Sequence, residues 1–170
     1  SRVKVKDIQD VLVRPAGCCN PVPGDPIVGF ITRGRGVTIH MTDCPNVSVM
    51  DYEPERRVEV EWDAETEGQH TVELHLETVD AKGLLAQISG VIAESDANIS
   101  HMHADTRPEG EGATIRLGIQ IHDLSHLERV LRALNGIQGV LKAERMKGAP
   151  GQRKSTERDR FGFRPAGERV

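Results

Sequence analysis

The sequence predicts an α+β protein in which a small strand-rich segment containing the cysteines precedes a βαββαβ unit. Two observations lead to this prediction. Five prolines and many glycines divide Val11–Met50 into short pieces, so only short strands and tight turns fit between them. From Thr71 onward, stretches of strand periodicity alternate with stretches of helical periodicity.

Length and composition narrow the class of protein. The 170 residues suffice for one medium domain or two small ones, and 37% hydrophobic with 28% charged residues are usual for a globular protein, which excludes a collagen and a wholly disordered chain. Aromatic residues make up only 3%, which predicts an aliphatic core and argues against stacking platforms for single-stranded nucleic acid. The net charge of −4 argues against binding nucleic acid through bulk charge. Because no apolar run approaches the roughly 20 residues that span a bilayer, we expect a cytoplasmic protein.

Short elements are expected in the first segment. Apolar residues between the prolines predict strands at Val11–Arg14, Ile27–Thr32 and Val37–Met41. A proline near a possible first helical position predicts one short helix at Pro45–Met50. Alternation of apolar with charged residues predicts a half-buried strand at Arg57–Trp62.

The second segment has stronger periodicity. Its predicted elements are, in chain order, the strand Thr71–Leu76, a helix from Leu84 to about Ser95, the strands Asn98–Thr106 and Ala113–His122 joined by a hairpin loop at Pro108–Gly112, a helix capped by Asp123, and the strand Val140–Met146. This order is that of a ferredoxin-like domain, in which two helices cover one face of a four-stranded antiparallel sheet. We expect a second copy or a neighbouring domain to cover the other face.

Changes in composition predict where the chain divides. They occur near Tyr52–Arg57 and after Lys147, so we expect a first domain at residues 1–56, a second at residues 57–147 and a tail at residues 148–170. The tail lacks apolar periodicity and cannot build a core. It is either a disordered terminus or purification remnant, or a basic arm for RNA.

The cysteines and one histidine form a candidate metal site. Cys18, Cys19, His40 and Cys44 supply three thiols and an imidazole, the ligand types that suit tetrahedral zinc. Adjacent cysteines are unusual in zinc modules, and they are also a poor disulfide framework because neighbouring residues rarely satisfy disulfide geometry. The alternatives are buried reduced cysteines that pack as small apolar groups, or a redox pair for which no partner is evident.

Arginines alternate with glycines at Thr32–Gly36. The guanidinium groups of Arg33 and Arg35, together with bare backbone, could approach phosphates. The stretch is not a phosphate-binding Walker loop, because it lacks the final Lys-Ser/Thr pair and is followed by a predicted strand. A glycine-rich hairpin with solvated arginines is an equal alternative.

These motifs carry a resemblance to a known family. The first half contains CCNPVPGDPIVGFITRGRGVTIH followed by DCPN, and it is closely similar to the conserved-cysteine module of long RelA/SpoT-type stringent-response proteins, also called their zinc-finger or ribosome-intersubunit module. The second half resembles the ACT domain of the same proteins, and the match extends over about Val3–Met146. One departure is Met41, where the family commonly has an arginine that could contact RNA.

The resemblance implies a regulatory fragment without catalytic activity of its own. Its parent would be a GTP pyrophosphokinase and (p)ppGpp 3'-pyrophosphohydrolase whose catalytic domains use Mg and Mn. The residues that match the family's proposed zinc positions are Cys18, Cys19, His40 and Cys44. Arg33 and Arg35 lie in the segment that faces ribosomal RNA or tRNA. No cofactor is implied for the ACT domain.

ACT domains commonly bind amino acids between two copies. The ligand usually lies between the first strand's exit loop and the next helix of one copy, near the second strand of its partner. The resemblance therefore implies a site for valine, isoleucine or leucine. Its residues would be Asp80, Lys82, Gly83, Leu84, Leu85, Asn98, Ile99 and His101. The free N–H groups at the helix start would hold the carboxylate. Alternatively, Asn98 only ends the helix and His101 is a surface residue.

Two functions follow from this reading. In the first, a homodimeric ACT domain binds a branched-chain amino acid and regulates the distant catalytic domains allosterically. In the second, the chain docks on ribosome and tRNA and has no small-molecule ligand. An enzyme centred on Cys18 and Cys19 is disfavoured, since neither a general base nor a substrate pocket is indicated.

Overall fold

A computed structural model describes residues 3–34, 36–50, 53–64, 66 and 68–146. Arg35 and the tail expected at residues 148–170 lie outside the described residues. No helix in the described part of the chain is both long and apolar enough to span a bilayer.

The first half is built from short strands, as the proline and glycine spacing predicts. Its elements are β1 (Val3–Val5), β2 (Val13–Pro15), β3 (Ile27–Thr32), β4 (Gly36–Met41), α1 (Pro45–Met50), a 3-10 turn (Pro54–Arg56), β5 (Arg57–Val58) and β6 (Val60–Trp62). Four strands form a sheet in the order β2-β4-β3-β5, and β1 pairs with β6 in a separate antiparallel ribbon. The central pair β3–β4 is an antiparallel hairpin in register from Ile27 opposite Met41 to Thr32 opposite Gly36.

Residues 57–62 differ from the single half-buried strand expected there. They form two strands that belong to different sheets, with β5 on β3 and β6 on β1. Both partners lie in the first half of the chain. We therefore propose that the domain boundary lies after Trp62 and not at residue 56.

Gly29 lies where three valines converge. A Cβ at this position would stand 2.8 Å from Val60 Cγ1, 2.9 Å from Val37 Cγ1 and 2.9 Å from Val58 Cγ2. Because β-branched side chains are stiff, Gly29→Ala is expected to lower the free energy of unfolding by about 1–3 kcal/mol. Urea denaturation measures this, with Gly17→Ala as control because nothing lies within 4 Å of its Cβ position. Equal midpoints for the two variants would contradict the close packing at Gly29.

The second half has the predicted ferredoxin-like fold. Its elements are β7 (His70–Thr78), α2 (Leu84–Glu94), β8 (Asn98–Thr106), a 3-10 turn (Pro108–Gly110), β9 (Ala113–Ile121), α3 (Leu124–Asn135) and β10 (Val140–Arg145). The strands form one antiparallel sheet in the order β10-β7-β9-β8. Helix α3 begins as predicted, because the Asp123 side chain accepts a hydrogen bond from the His126 N–H at 2.8 Å.

One face of this sheet and the two helices enclose an aliphatic core. The sheet contributes alternate residues of β7 and β9, and each helix contributes one apolar stripe. The fully buried side chains of this core include Leu74, Leu76, Ile88, Ile92, Ile115, Leu117, Ile119, Ile121, Leu127 and Leu134. The aliphatic core confirms what the low aromatic content predicts.

The opposite face of the sheet is polar. Histidine–carboxylate pairs lie on it. His101 Nε2 on β8 is 2.9 Å from Glu73 on β7, across the intervening strand β9, and His103 Nε2 is 2.9 Å from Asp105 on the same strand β8. Arg116, on β9, is also exposed there. Water can therefore solvate this face, and it does not by itself require the apolar cover expected from a lone ferredoxin-like sheet.

Candidate metal centre and ligand groove

The fold brings all four predicted metal ligands together. Cys18 and Cys19 lie in the turn between β2 and β3, His40 lies on β4, and Cys44 directly precedes α1. One ligand atom from each, three Sγ and one imidazole nitrogen, lies within 4.8 Å of all the others. The turn also solves the problem of the adjacent cysteines, whose Sγ atoms would diverge from an extended backbone but here are 4.0 Å apart.

The spacing of these atoms fits a tetrahedral ion. Bonds of about 2.3 Å from zinc to sulfur and about 2.0 Å to nitrogen place two thiolates about 3.8 Å apart, and a thiolate and an imidazole nitrogen about 3.5 Å apart. Cys18 Sγ is 4.0 Å from Cys19 Sγ and 3.6 Å from Cys44 Sγ. His40 Nδ1 is 3.4 Å from Cys18 Sγ and 3.9 Å from Cys19 Sγ. The four residues therefore form a cluster that could hold a metal ion.

The thiols of the cluster are free, and they differ in acidity. Cys19 and Cys44 are 2% and 3% exposed, whereas Cys18 is half-buried. The hydrogen bond between Cys18 and Cys19, with smaller contributions from His40 and the Asn46 side chain, lowers the pKa of Cys18 to about 3. The same bond raises the pKa of Cys19, and burial raises that of Cys44. The arrangement stabilises a thiolate, which is the form of cysteine that binds metal.

Groups around the cluster hold the ligands in place. The Met41 backbone N–H donates to Cys19 Sγ at 3.4 Å, and the Asn46 backbone hydrogen-bonds Cys44. The His40 ring packs edge-on against Phe30, with centroids 5.8 Å apart. Sequence reasoning did not single out Asn46, although it closes the DCPN motif. Such outer partners orient metal ligands in known sites.

Of the two arginines predicted to face RNA, the structure describes Arg33 but not Arg35. Arg33 is exposed in the turn between β3 and β4, where the backbone of Gly34 has a φ of 71°. This is the hairpin arrangement with a solvated arginine, and it leaves the guanidinium accessible. Met41 is only 6% exposed and packs with the residues around the cluster.

The loop predicted to hold an amino acid lies beside an open groove. Asp80, Lys82 and Gly83 are exposed, and Gly83 has the left-handed φ of 79° that starts α2. A groove of about 730 Å³ runs along α2 toward the loop before β10. Of the predicted residues, Lys82 and Leu84 line it, with Val79, Val91 and Ile137 among the apolar neighbours.

The predicted residues on β8 lie apart from that groove. Asn98 pairs with Gln120 through a 3.2 Å side-chain hydrogen bond, and His101 lies over Gly118 on the same polar face of the sheet. A register shift between Ile99 and His101 puts Asn98 and His101 on one face despite their spacing of three. Ile99 packs against the core instead. Within one chain, the loop residues and the polar residues of β8 are therefore not brought together.

Fold and site first define a class of protein: a cysteine-cluster domain joined to a domain of the ACT regulatory type. The family model of the RelA/SpoT RIS domain matches residues 3–63, and that of the ACT domain matches residues 66–145. The chain belongs to the RelA/SpoT family and comprises these two regulatory domains. The family's catalytic domains are not among the residues that the structure describes.

Relatives of known activity support this assignment. The chain is 40% identical over 147 residues to a GTP pyrophosphokinase of Streptomyces coelicolor, a match of 86% of this chain and 17% of the relative. Identity is 43% to the GTP pyrophosphokinase of Myxococcus xanthus, and the match covers 86% of this chain and 19% of the relative. Identity is 34% to the bifunctional (p)ppGpp synthase/hydrolase RelA of Mycobacterium tuberculosis, and that match covers 86% of this chain and 20% of the relative. The chain thus spans about a fifth of the length of these relatives.

A solved structure of one domain is also similar. The crystal structure of the ACT domain from the GTP pyrophosphokinase of Chlorobium tepidum matches 48% of this chain and 100% of its own, with a TM-score of 0.41 and 27% identity.

Proposed function

We propose that this chain is the regulatory region of a bifunctional (p)ppGpp synthetase/hydrolase of the stringent response, holding zinc in its cysteine cluster and a branched-chain amino acid in its ACT domain. The observation that carries the proposal is the intact set of three thiols and one imidazole within 4.8 Å, joined to an ACT domain in a chain of this family. The Mg and Mn of the parent would serve its catalytic domains, in the cytoplasm.

Zinc in this cluster would have a structural role. Four protein ligands complete a tetrahedral coordination sphere and leave no position for a substrate. The ligands come from a turn, a strand and the residue before a helix, so the ion would cross-link three separate parts of the first domain. The adjacent cluster of apolar residues is small, which makes such a cross-link valuable to stability.

The ACT domain offers one wall of an amino-acid site. Lys82 and the start of α2 can receive a carboxylate, and Leu84 with Val79 supplies an apolar surface for a branched side chain. The groove is open. Leu85 is 46% exposed but does not line it. We propose that a second copy closes the site with its strand β8, an exposed edge strand whose backbone can pair with another chain.

Regulation would follow from differential affinity. The amino acid can shift the parent toward hydrolysis or synthesis only as far as it binds the two states unequally. A site shared between two copies suits this role, because a change in how the copies pair changes the affinity for the ligand and reaches distant domains.

Titration calorimetry against the twenty amino acids tests the sensing proposal. We expect heat from valine, isoleucine or leucine only, and loss of that heat in Lys82→Ala and in Asn98→Ala, which remove the contributions of the two proposed walls. Lys142→Ala is the matched control, because Lys142 is exposed on β10 and pairs with Glu144. Absence of heat from every amino acid contradicts sensing, and binding by a strictly monomeric chain contradicts the shared site.

Docking on ribosomal RNA or tRNA is the second candidate function. It is favoured by the exposure of Arg33 at the tip of the β3–β4 hairpin, where phosphates can reach the guanidinium from solvent. Salt-dependent RNA binding that is lost in Arg33→Ala, in a chain that gives no heat with amino acids, would select this function over sensing.

A further inference from the structure

The segment that follows the two adjacent cysteines runs directly into the second domain. Asn20 turns the chain in the left-handed region with a φ of 44°, and Val22 is fully buried. Val22 belongs to the same buried apolar cluster as the core residues of β7, β9 and the two ACT helices. Only two residues separate this side chain from Cys19, so the metal cluster and the ACT core are neighbours along the chain.

A buried ion pair fastens the same segment. Arg145, on the last strand of the ACT domain, donates to both oxygens of Asp25 at 3.0 and 2.9 Å. The two side chains are 9% and 2% exposed. The guanidinium also donates to the Asn20 carbonyl oxygen at 2.9 Å, one residue from the proposed ligand Cys19. A single side chain of the second domain thereby holds both ends of the segment 20–25.

Three further contacts hold the segment in shape. The Val22 N–H donates to Asp25 Oδ2 at 2.7 Å, and the Leu124 N–H at the start of α3 donates to the Pro23 carbonyl oxygen at 2.8 Å. Gly24 has a φ of 103°, and its Cβ position is 3.0 Å from Leu124 Cβ, so the backbone lies tightly against α3. The segment is therefore fixed at both ends and in the middle.

From this geometry we infer that residues 20–25 form a rigid connector through which occupancy of the metal cluster and the stability of the ACT domain are thermodynamically coupled. The inference rests on the proposed zinc site. Metal binding fixes Cys18 and Cys19 and so fixes Asn20, which Arg145 requires as an acceptor. The coupling is reciprocal. Loss of the Arg145 contacts must lower the affinity for the metal by the same factor by which loss of the metal weakens those contacts.

Zinc affinity of the full chain measures the coupling. We expect Arg145→Gln to weaken Zn²⁺ binding, measured by competition with a chromophoric chelator, by about tenfold or more, as loss of an outer partner does at known sites. Lys142→Gln, on the same strand but exposed, should leave the affinity unchanged. If wild type binds zinc and Arg145→Gln binds it equally well, the coupling is wrong while the zinc site stands. A wild-type chain that holds no zinc overturns both.

Hydrogen exchange on the wild-type chain gives a second readout that needs no variant. Removal of zinc with a chelator should speed exchange of the backbone amides of Leu117 and Ile119, which lie in the ACT core and far along the chain from the cysteines. Exchange that accelerates only in the first domain would show that the connector does not transmit the loss of metal and would overturn the inference.

Discussion

Replacing Cys44 with serine is expected to abolish zinc retention and to unfold the first domain. A hydroxyl is a far poorer zinc ligand than a thiolate, and structural zinc sites contribute about 10–16 kcal/mol of binding free energy to small domains. Cys44 is 3% exposed and holds the start of α1 against Cys18, at a sulfur–sulfur distance of 3.6 Å. Elemental analysis of the purified variant measures the metal, and circular dichroism measures the loss of structure.

Histidine variants supply the matched control for this prediction. His40→Ala removes a cluster ligand and should also release zinc, whereas His103→Ala removes an imidazole that is exposed on β8 and should not. If Cys44→Ser retains one zinc per chain, the four-ligand site is refuted.

Asp25→Ala is expected to lower the free energy of unfolding by about 3–5 kcal/mol, because it leaves the buried guanidinium of Arg145 without its carboxylate. The variant also removes the acceptor of the Val22 N–H and loosens the segment that places Val22 in the ACT core. Urea denaturation followed by far-UV circular dichroism measures the change.

Two comparisons isolate the buried charge as the cause. Asp105→Ala removes a carboxylate that pairs with His103 on the surface and should change stability by about 1 kcal/mol or less. Replacing both partners, as in Asp25→Ala/Arg145→Met, should recover part of the loss, since an apolar side chain costs less to bury than an unpaired charge. If Asp25→Ala alone lowers the free energy of unfolding no more than Asp105→Ala does, the role assigned to the ion pair is refuted.

Local sequence signals predicted most of the secondary structure. The bounds of Ile27–Thr32, Pro45–Met50 and Asn98–Thr106 agree with the structure because prolines, glycines and capping residues mark their ends. The sequence analysis does not predict the strand Val3–Val5, since three residues are too few to establish an alternating pattern. The division of Arg57–Trp62 between two sheets depends on partners far along the chain, which alternation cannot reveal.

The sites were predictable where chemistry was concentrated in a motif. Four residues of zinc-binding type within 27 residues mark the cluster. The sequence did not reveal the turn that brings the side chains of Cys18 and Cys19 together. The pairing of Asp25 with Arg145 spans 120 residues, and neither residue stands in a charge pattern that points to the other. The position of His101 depends on the register shift in β8, which sequence periodicity does not show.

The burial of Val22 in the neighbouring domain bears on how chimaeras of this family should be made. A chimaera that exchanges only the ACT domain for that of a relative would present this valine to a foreign interior shaped by other side chains. The junction of such a chimaera therefore belongs before the cysteines. Both domains then come from the same parent, and Val22 keeps its native packing.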